Sequence, residues 1–151
     1  MKIYVASSWR NNQQPTVVKV LREAGHEVYD FRRPCPGELG FQWLDVDPKW
    51  KSWNPLEFAN ALNHPIAQKA FTTDMTALME CDVCVLVLPC GRSAHLEAGW
   101  AVGNGKHLFI LLDQSEPELM YAMADHLCLS LYDLLQKLFH LSMQQVHGCA
   151  E

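Results

Sequence analysis

The chain has 151 residues, 49% of them hydrophobic, and a formal net charge of −5. That size and composition suit one domain with a real core and exclude a disordered chain, while the acidic balance argues against a general nucleic-acid-binding surface, which needs clustered Lys and Arg to neutralise phosphates. No apolar run approaches membrane-spanning length, and the start, Met1-Lys2-Ile3-Tyr4-Val5, has a strand pattern rather than that of a leader. A cytoplasmic protein with no membrane partner is expected.

In chain order the pattern alternates strands and helices. Residues 2 to 6 read as a first strand, and 13 to 24 as a helix with Val17, Val18, Val20 and Leu21 inward, closed by Gly25 as a C-terminal cap. A second strand spans 26 to 31. Asn54 and Pro55, a capping residue before a proline suited to the first helical position, start a short helix through 62, and His64-Pro65 opens another to about 80. The third strand covers 82 to 88, a helix follows over 93 to 103, the fourth strand covers 106 to 112, and another helix starts near 116. A fifth strand at about 126 to 129 precedes a closing helix capped by Ser130. Short apolar strands separated by helices predict an α/β fold over 1 to 151: a doubly wound, flavodoxin-like domain of five mainly parallel strands in order 2-1-3-4-5, with helices on both faces.

Ligands of such sheets bind beyond the carboxyl ends of the strands. That rule places the loops Ser7-Ser8-Trp9-Arg10-Asn11 and Pro89-Cys90-Gly91-Arg92-Ser93 on one rim. Ser7, Ser8 and Arg10 offer donors there, as do the amides of Gly91, Arg92 and Ser93, so two corners suited to anions face one another. Ser, Asn and Gly also favour plain surface turns. Residues 34 to 63 form the irregular part, rich in Pro and Gly and carrying Trp43, Trp50 and Trp53. A segment of this length is usually functional. Its tryptophans, Trp53 among them as a substrate-binding candidate, suit a lid or a stacking wall for a planar base, or else tack the segment onto the core or a subunit interface.

Of the six cysteines, Cys81 and Cys84 have the spacing of redox and zinc motifs. Alternation along the strand sends the two to different surroundings and no second pair follows, so buried reduced thiols are expected rather than a zinc site with Cys90 and His95.

The corner after the third strand carries the most chemistry. Gly91 allows a tight turn, Ser93 is placed to cap the new helix, and Glu97 falls on the face of Ala94 and Ala101. The positive end of the helix dipole predicts an ionised Glu97, which fits a nucleophile and equally an acid that merely complements the dipole.

Three pieces together, Lys2-Ile3-Tyr4-Val5-Ala6-Ser7-Ser8-Trp9-Arg10, Asp74 in a helix before an Asp82-led strand, and Gly91-x-Ser93-x-x-x-Glu97-x-Gly99-x-Ala101, resemble the nucleoside 2-deoxyribosyltransferase family and its relatives, the 2'-deoxynucleoside 5'-monophosphate N-glycosidases. The resemblance runs from Met1 to about Lys137. It implies that Glu97 attacks C1' of the sugar, that Asp74 assists departure of the base, and that Tyr4 holds Glu97 in position. Ser8 and Arg10, with Gly91 and Ser93 and beside Ser7 and Arg92 of the same loops, would bind a 5'-phosphate or 5'-hydroxyl. It further implies a nucleoside or nucleotide as the small-molecule partner, a homodimer, and chemistry with neither cofactor nor metal. The sequence departs from the family at Gly91, where transferases commonly carry Asp and the nucleotide hydrolases Ser, and at Ser7, which replaces Gly. The Asn that transferases supply from a neighbouring subunit has no clear equivalent after His126.

The chemistry agrees. An N-glycosidic bond breaks through an oxocarbenium-like transition state that needs a carboxylate under C1' and an acid near the base, and Asp74, covered by the aromatic segment, would have the raised pKa of a proton donor. A nucleotide-binding module without turnover and an NAD-glycohydrolase-like enzyme are the alternatives.

Overall fold

The computed structural model describes residues 1–148, with side chains through Gln144. Five strands, β1 (Lys2–Ala6), β2 (Glu27–Asp30), β3 (Val83–Val87), β4 (His107–Leu111) and β5 (His126–Cys128), form one all-parallel sheet in the order β2-β1-β3-β4-β5. The helices are α1 (Gln14–Glu23), α2 (Pro55–Ala61), α3 (Pro65–Glu80), α4 (Arg92–Gly103) and α5 (Leu131–Gly148). The expected doubly wound topology is therefore observed.

Alternation divides the strand residues between two layers. Ile3, Val5, Val83, Val85, Val87, Phe109 and Leu111 meet Val17, Val18 and Leu21 of α1 and Leu134 and Leu138 of α5. On the opposite face Tyr4, Ala6, Cys84, Leu86, Leu108 and Ile110 lie under Leu78 of α3 and Ala94, Ala98 and Ala101 of α4. Each fully buried Leu or Val stabilises the fold by about 1.5–3 kcal/mol, and most of that burial is on the first face. The second face has alanines where a helix would ordinarily place larger side chains, so α4 lies close to the sheet and its neighbouring polar side chains reach the strands.

Local chemistry explains the boundaries. Gly25 takes φ +87 beyond α1, a conformation that costs other residues a clash. Asn54 accepts from the amides of Leu56 and Glu57 while Glu57 returns a bond to the Asn54 amide, a full capping box. His64 caps α3, and Ser130 accepts from the Asp133 amide at the start of α5. In α1, Val20 is only half-buried and Gln14 takes the inward place, donating from Nε2 to Asp30 Oδ1 at 2.8 Å.

Several expectations need correction. No α-helix starts near 116: Asp113 accepts from both the amide and the hydroxyl of Ser115, and Pro117 disfavours helical geometry at Glu116, so only a 3-10 turn forms at Leu119–Met123. Helix α4 begins at Arg92 with Gly91 as its N-cap, so Ser93 lies inside the first turn and caps nothing. Gly91 itself has φ −94 and ψ −172, extended backbone open to any residue, and a Cβ there would meet nothing. Cys81 and Cys84 do not diverge. The strand starts only at Val83, so strand alternation does not apply to Cys81, which ends α3, and both thiols enter the same cluster.

The segment after β2 contains α2 and two 3-10 turns, Trp43–Asp45 and Trp50–Ser52. It returns to the sheet at Gly40, whose amide donates to the Arg32 carbonyl at 2.9 Å. A Cβ at this position would overlap the Phe31 carbonyl. Gly40→Ala should therefore destabilise the protein by about 1–3 kcal/mol in urea unfolding, because backbone must move to admit the methyl group.

Candidate active site

The site is built on a row across the sheet. Parallel register places Tyr4 of β1 between Tyr29 of β2 and Cys84 of β3. The two tyrosine rings stack, with centroids 5.2 Å apart and planes 18° from parallel. Asp74 of α3 and Glu97 of α4 reach this platform. The Tyr29 hydroxyl donates to Asp74 Oδ1 at 2.6 Å. The Tyr4 hydroxyl is buried without a hydrogen-bond partner; it favours the ionised form of Glu97 by proximity without reaching it in hydrogen-bond geometry.

Four groups thus converge, three of them marked in the sequence and one not. Tyr4, Asp74 and Glu97 come together as expected. Tyr29 was not singled out, although it has the same alternation phase in the second strand as Tyr4 in the first, which in a parallel sheet at matched register makes neighbours.

Electrostatics correct the expectation for Glu97. Burial pushes its carboxyl up to about 7, the Asp74 charge pushes the same way, and Tyr4 opposes them. The helix dipole fades within the first turn, and Glu97 stands in the second turn of a helix that begins at Arg92. Desolvation wins. Asp74 is also raised by burial, and the Tyr29 hydrogen bond holds that rise back. Both tyrosines are driven far above their ordinary range, by burial first and then, for Tyr4, by the charges of Glu97 and Asp74, and for Tyr29 by its bond to Asp74.

The rim is stitched together by Asn11. Its Nδ2 lies 3.1 Å from the Ser7 hydroxyl, 3.1 Å from the Val87 carbonyl and 3.2 Å from the Pro89 carbonyl, while Ser7 Oγ donates to the Val87 carbonyl at 2.9 Å. The loop after β1 and the loop after β3 therefore do face one another, as the strand-end rule requires. Ser7 serves that junction. Ser8 Oγ accepts from the Arg10 amide at 3.2 Å, and its hydroxyl proton remains available. Arg10, Arg92 and Ser93 are exposed. Arg32, which sequence reasoning passed over, holds the β1 loop from below: its Nη2 donates to the carbonyls of Ser8, Trp9 and Asn11 at 2.9, 3.1 and 2.8 Å, with its guanidinium 5.5 Å from the Trp9 ring and 5.9 Å from that of Phe31.

Asp74 and Tyr29 open onto a cavity of about 170 Å³ lined also by Phe31, Phe41, Leu39 and Ile66. Trp53 is placed one layer further out. Its Nε1 donates to Asp47 at 2.7 Å and its ring meets Trp43 edge-on, within a cluster that includes Phe41 and Phe58. Phe41, rather than any tryptophan, is the aromatic ring of that cluster that reaches the cavity beside Asp74.

Cys90 lies 3.6 Å from His95 Nδ1, but the same nitrogen is 2.9 Å from the Gly91 carbonyl and Nε2 is 2.9 Å from the Tyr121 hydroxyl, so the imidazole bridges α4 to the turn before β5. Burial, then the Glu97 and Asp113 charges, push the Cys90 thiol up to about 11, which disfavours a reactive thiolate. Among the described residues no three His, Cys, Asp or Glu side chains converge as metal ligands do. No helix among them is long and apolar enough to cross a membrane.

A carboxyl raised in the folded state binds its proton more tightly there than in the unfolded chain. The stability it supports is complete below the ordinary value of 4.5 and is lost as pH rises through about 7. Glu97→Gln should therefore unfold at higher urea than wild type at about pH 8.5, by on the order of 1–3 kcal/mol, and the difference should vanish below about pH 4.5.

No protein-family model matches the chain, and no curated protein matches it significantly. Its fold does have solved counterparts. A 2-deoxyribosyltransferase from the psychrotolerant bacterium Bacillus psychrosaccharolyticus aligns with a TM-score of 0.56 and 18% identity, over 89% of this chain and 90% of that one. The CMP N-glycosidase BcmB of Clostridium botulinum aligns with a TM-score of 0.53 and 19% identity, over 93% and 99%. The chain shares its fold with a nucleoside 2-deoxyribosyltransferase and with a CMP N-glycosidase.

Proposed function

We propose that the protein cleaves the N-glycosidic bond of a 2'-deoxyribonucleoside or its 5'-monophosphate through a covalent glycosyl-Glu97 intermediate, passing the sugar to another base or to water. The observation that carries this reading is the pair of partly buried carboxyl groups, Glu97 and Asp74, set on one tyrosine platform across the sheet and interacting electrostatically with each other. The names of the two fold counterparts, a deoxyribosyltransferase and a nucleotide N-glycosidase, support it.

In the first step a Glu97 carboxylate oxygen bonds to C1' as the C1'–N bond breaks. The bonding electrons go to the base nitrogen system, which takes the proton of Asp74. In the second step water or a second base attacks C1', its proton passes to Asp74, and Glu97 leaves as the carboxylate. Splitting one displacement into two lowers each barrier, the division of labour used by retaining glycosidases. The reacting pair carries one proton: with two, Glu97 is no nucleophile, and with none, the base leaves without an acid. Apparent pKa values therefore belong to the pair.

The 5'-end is assigned to Ser8, Arg10, Arg92 and Ser93, with the Gly91 corner and Ser7 framing the loops. Arg10 and Arg92 are exposed cations at this rim with no internal side-chain bond among the described residues. Exposed Phe71 and Met79 on α3 and Leu96 on α4 are apolar surface of the kind a homodimer covers, and a cytoplasmic setting fits the unpaired thiols.

Chromatography of reactions with deoxynucleosides and deoxynucleotides, with and without an acceptor base, tests the reading: free or exchanged base supports it and none from any substrate refutes it. Glu97→Ala should lower base release at least ~10³-fold with the fold intact, and intact-protein mass spectrometry of wild type with a slow substrate should show one added deoxyribosyl unit. The rate kcat/KM should fall as pH rises above about 7, where the pair loses its last proton. Arg10→Ala should cost nucleotide substrates about tenfold more than nucleosides, and equal losses would place the phosphate elsewhere.

A further inference from the structure

Tyr29 has no part in the steps of the proposed reaction, yet its ring and its hydroxyl are both held at the site. The ring is stacked on Tyr4, and the hydroxyl donates to Asp74 Oδ1 at 2.6 Å, short for a neutral donor and typical of a bond to a carboxylate. The stacked partner differs in one respect. Tyr4 has its hydroxyl buried and bonded to nothing. Of two carboxyl groups on one platform, Asp74 has a full hydrogen bond for its anion, whereas Glu97 is approached by Tyr4 without hydrogen-bond geometry and is favoured as the anion only by that proximity.

We propose that Tyr29 is a positioning residue: its hydroxyl holds Asp74 as the anion, so that in the free protein the single proton of the carboxyl pair rests on Glu97 and is handed to Asp74 only when substrate occupies the site. This rests on the reading of Glu97 and Asp74 as the reacting pair. The transfer is balanced, with one O–H bond broken at Glu97, one formed at Asp74, and no change in net charge. The resting protein thereby keeps its nucleophile neutral, and the exchange primes both groups at once, leaving Glu97 anionic and Asp74 ready to protonate the base.

The titratable groups facing the pair are few. Tyr4 approaches from β1, Tyr29 from β2, and Cys84 from β3. Cys90 faces Glu97 from the loop before α4, and Cys35 faces Tyr29 from the loop after β2. Around the cavity beside Asp74 stand Glu38, Asp45 and Lys69, the last paired with Glu38 at 3.8 Å. Neither carboxyl feels a cation strongly enough to hold its pKa down, so the Tyr29 bond is the main interaction favouring ionised Asp74.

The test is a carboxyl-carbon NMR titration of the full chain labelled at Asp and Glu, with Asp74→Asn and Glu97→Gln to assign the two signals. In wild type Asp74 should ionise first and Glu97 later, near about 7; the opposite order would overturn the proposal without any variant at Tyr29. Tyr29→Phe keeps the ring stack and removes only the donor. It should raise the Asp74 midpoint by about one pH unit, and an unmoved Asp74 would overturn the proposal. In the same variant the acid limb of kcat/KM should move up with Asp74 while the alkaline limb stays in place, a change that a purely structural tyrosine would not produce. The two ideas fail separately. Carboxyl groups that titrate as described in a protein that releases no base sink the reaction and leave the proton assignment standing; base release with Asp74 unmoved in Tyr29→Phe does the reverse.

Discussion

Two carboxyl groups lie close enough to repel, over aromatic rings that exclude water, and no cation beside them holds either pKa down. Everything distinctive about the site follows from that arrangement. A buried carboxylate pair is unfavourable unless one member keeps its proton, so the pair settles into a state that has both a potential nucleophile and a potential acid. The rest of the fold must offset that cost. Both faces of the sheet do so: one with a dense layer of Val, Leu and Phe, the other with a buried apolar cluster built on smaller side chains, Ala and Cys among its Leu and Ile, against which the two carboxyl groups lie.

The rim is rigid for a different reason. Three backbone carbonyls of the loop after β1 accept from a single Arg32 nitrogen, and the Asn11 amide fastens the same loop to the end of β3. The Ser8 and Asn11 carbonyls also accept from the amides of Asn11 and Gln14, so the turn is bonded both within itself and to Arg32. Satisfying them internally fixes the loop before a ligand arrives, which reduces the ordering cost that binding has to overcome. It also decides which donors remain outward, since Ser7 and Asn11 are taken by the junction while Ser8 and Arg10 are not.

The sequence made the scaffold legible because strand alternation, Asn54-Pro55, His64-Pro65, Gly25 and Ser130 are local signals that the tertiary structure left alone. The misreadings arose where a nonlocal or competing effect prevailed. Ser93 looked like a cap until the helix began at Arg92, and the dipole argument for Glu97 failed because burial over Tyr4 outweighs a partial charge more than a turn away. The helix expected near 116 lost to the Asp113 side chain and Pro117. Tyr29 and Arg32 were legible only in retrospect: nothing in their neighbours along the chain marks them, and each acquires its partners through the pairing of the first two strands and the turn that follows.

The two ends of the site differ in a way that the proposed chemistry requires. Beside Asp74 the walls include the rings of Tyr29, Phe31 and Phe41 with Leu39 and Ile66, and Glu38, Asp45 and Lys69 stand around them, a pocket whose aromatic surface suits a flat base. Beyond Glu97 the rim carries hydroxyl groups, amides and an exposed arginine, suited to the 5'-end of a sugar. In the proposed reaction the base would depart toward those rings, where a developing charge would be poorly solvated. Protonation by Asp74 would then be worth more than it is in water. The long segment between β2 and α2 builds that wall from its own aromatic cluster, anchored where Gly40 meets Phe31 and Arg32. The Lys69–Glu38 ion pair at its edge is exposed and adds little. The aromatic wall of the cleft is thus supplied by packing in the irregular segment, and the sheet supplies the platform on which the two carboxyl groups meet.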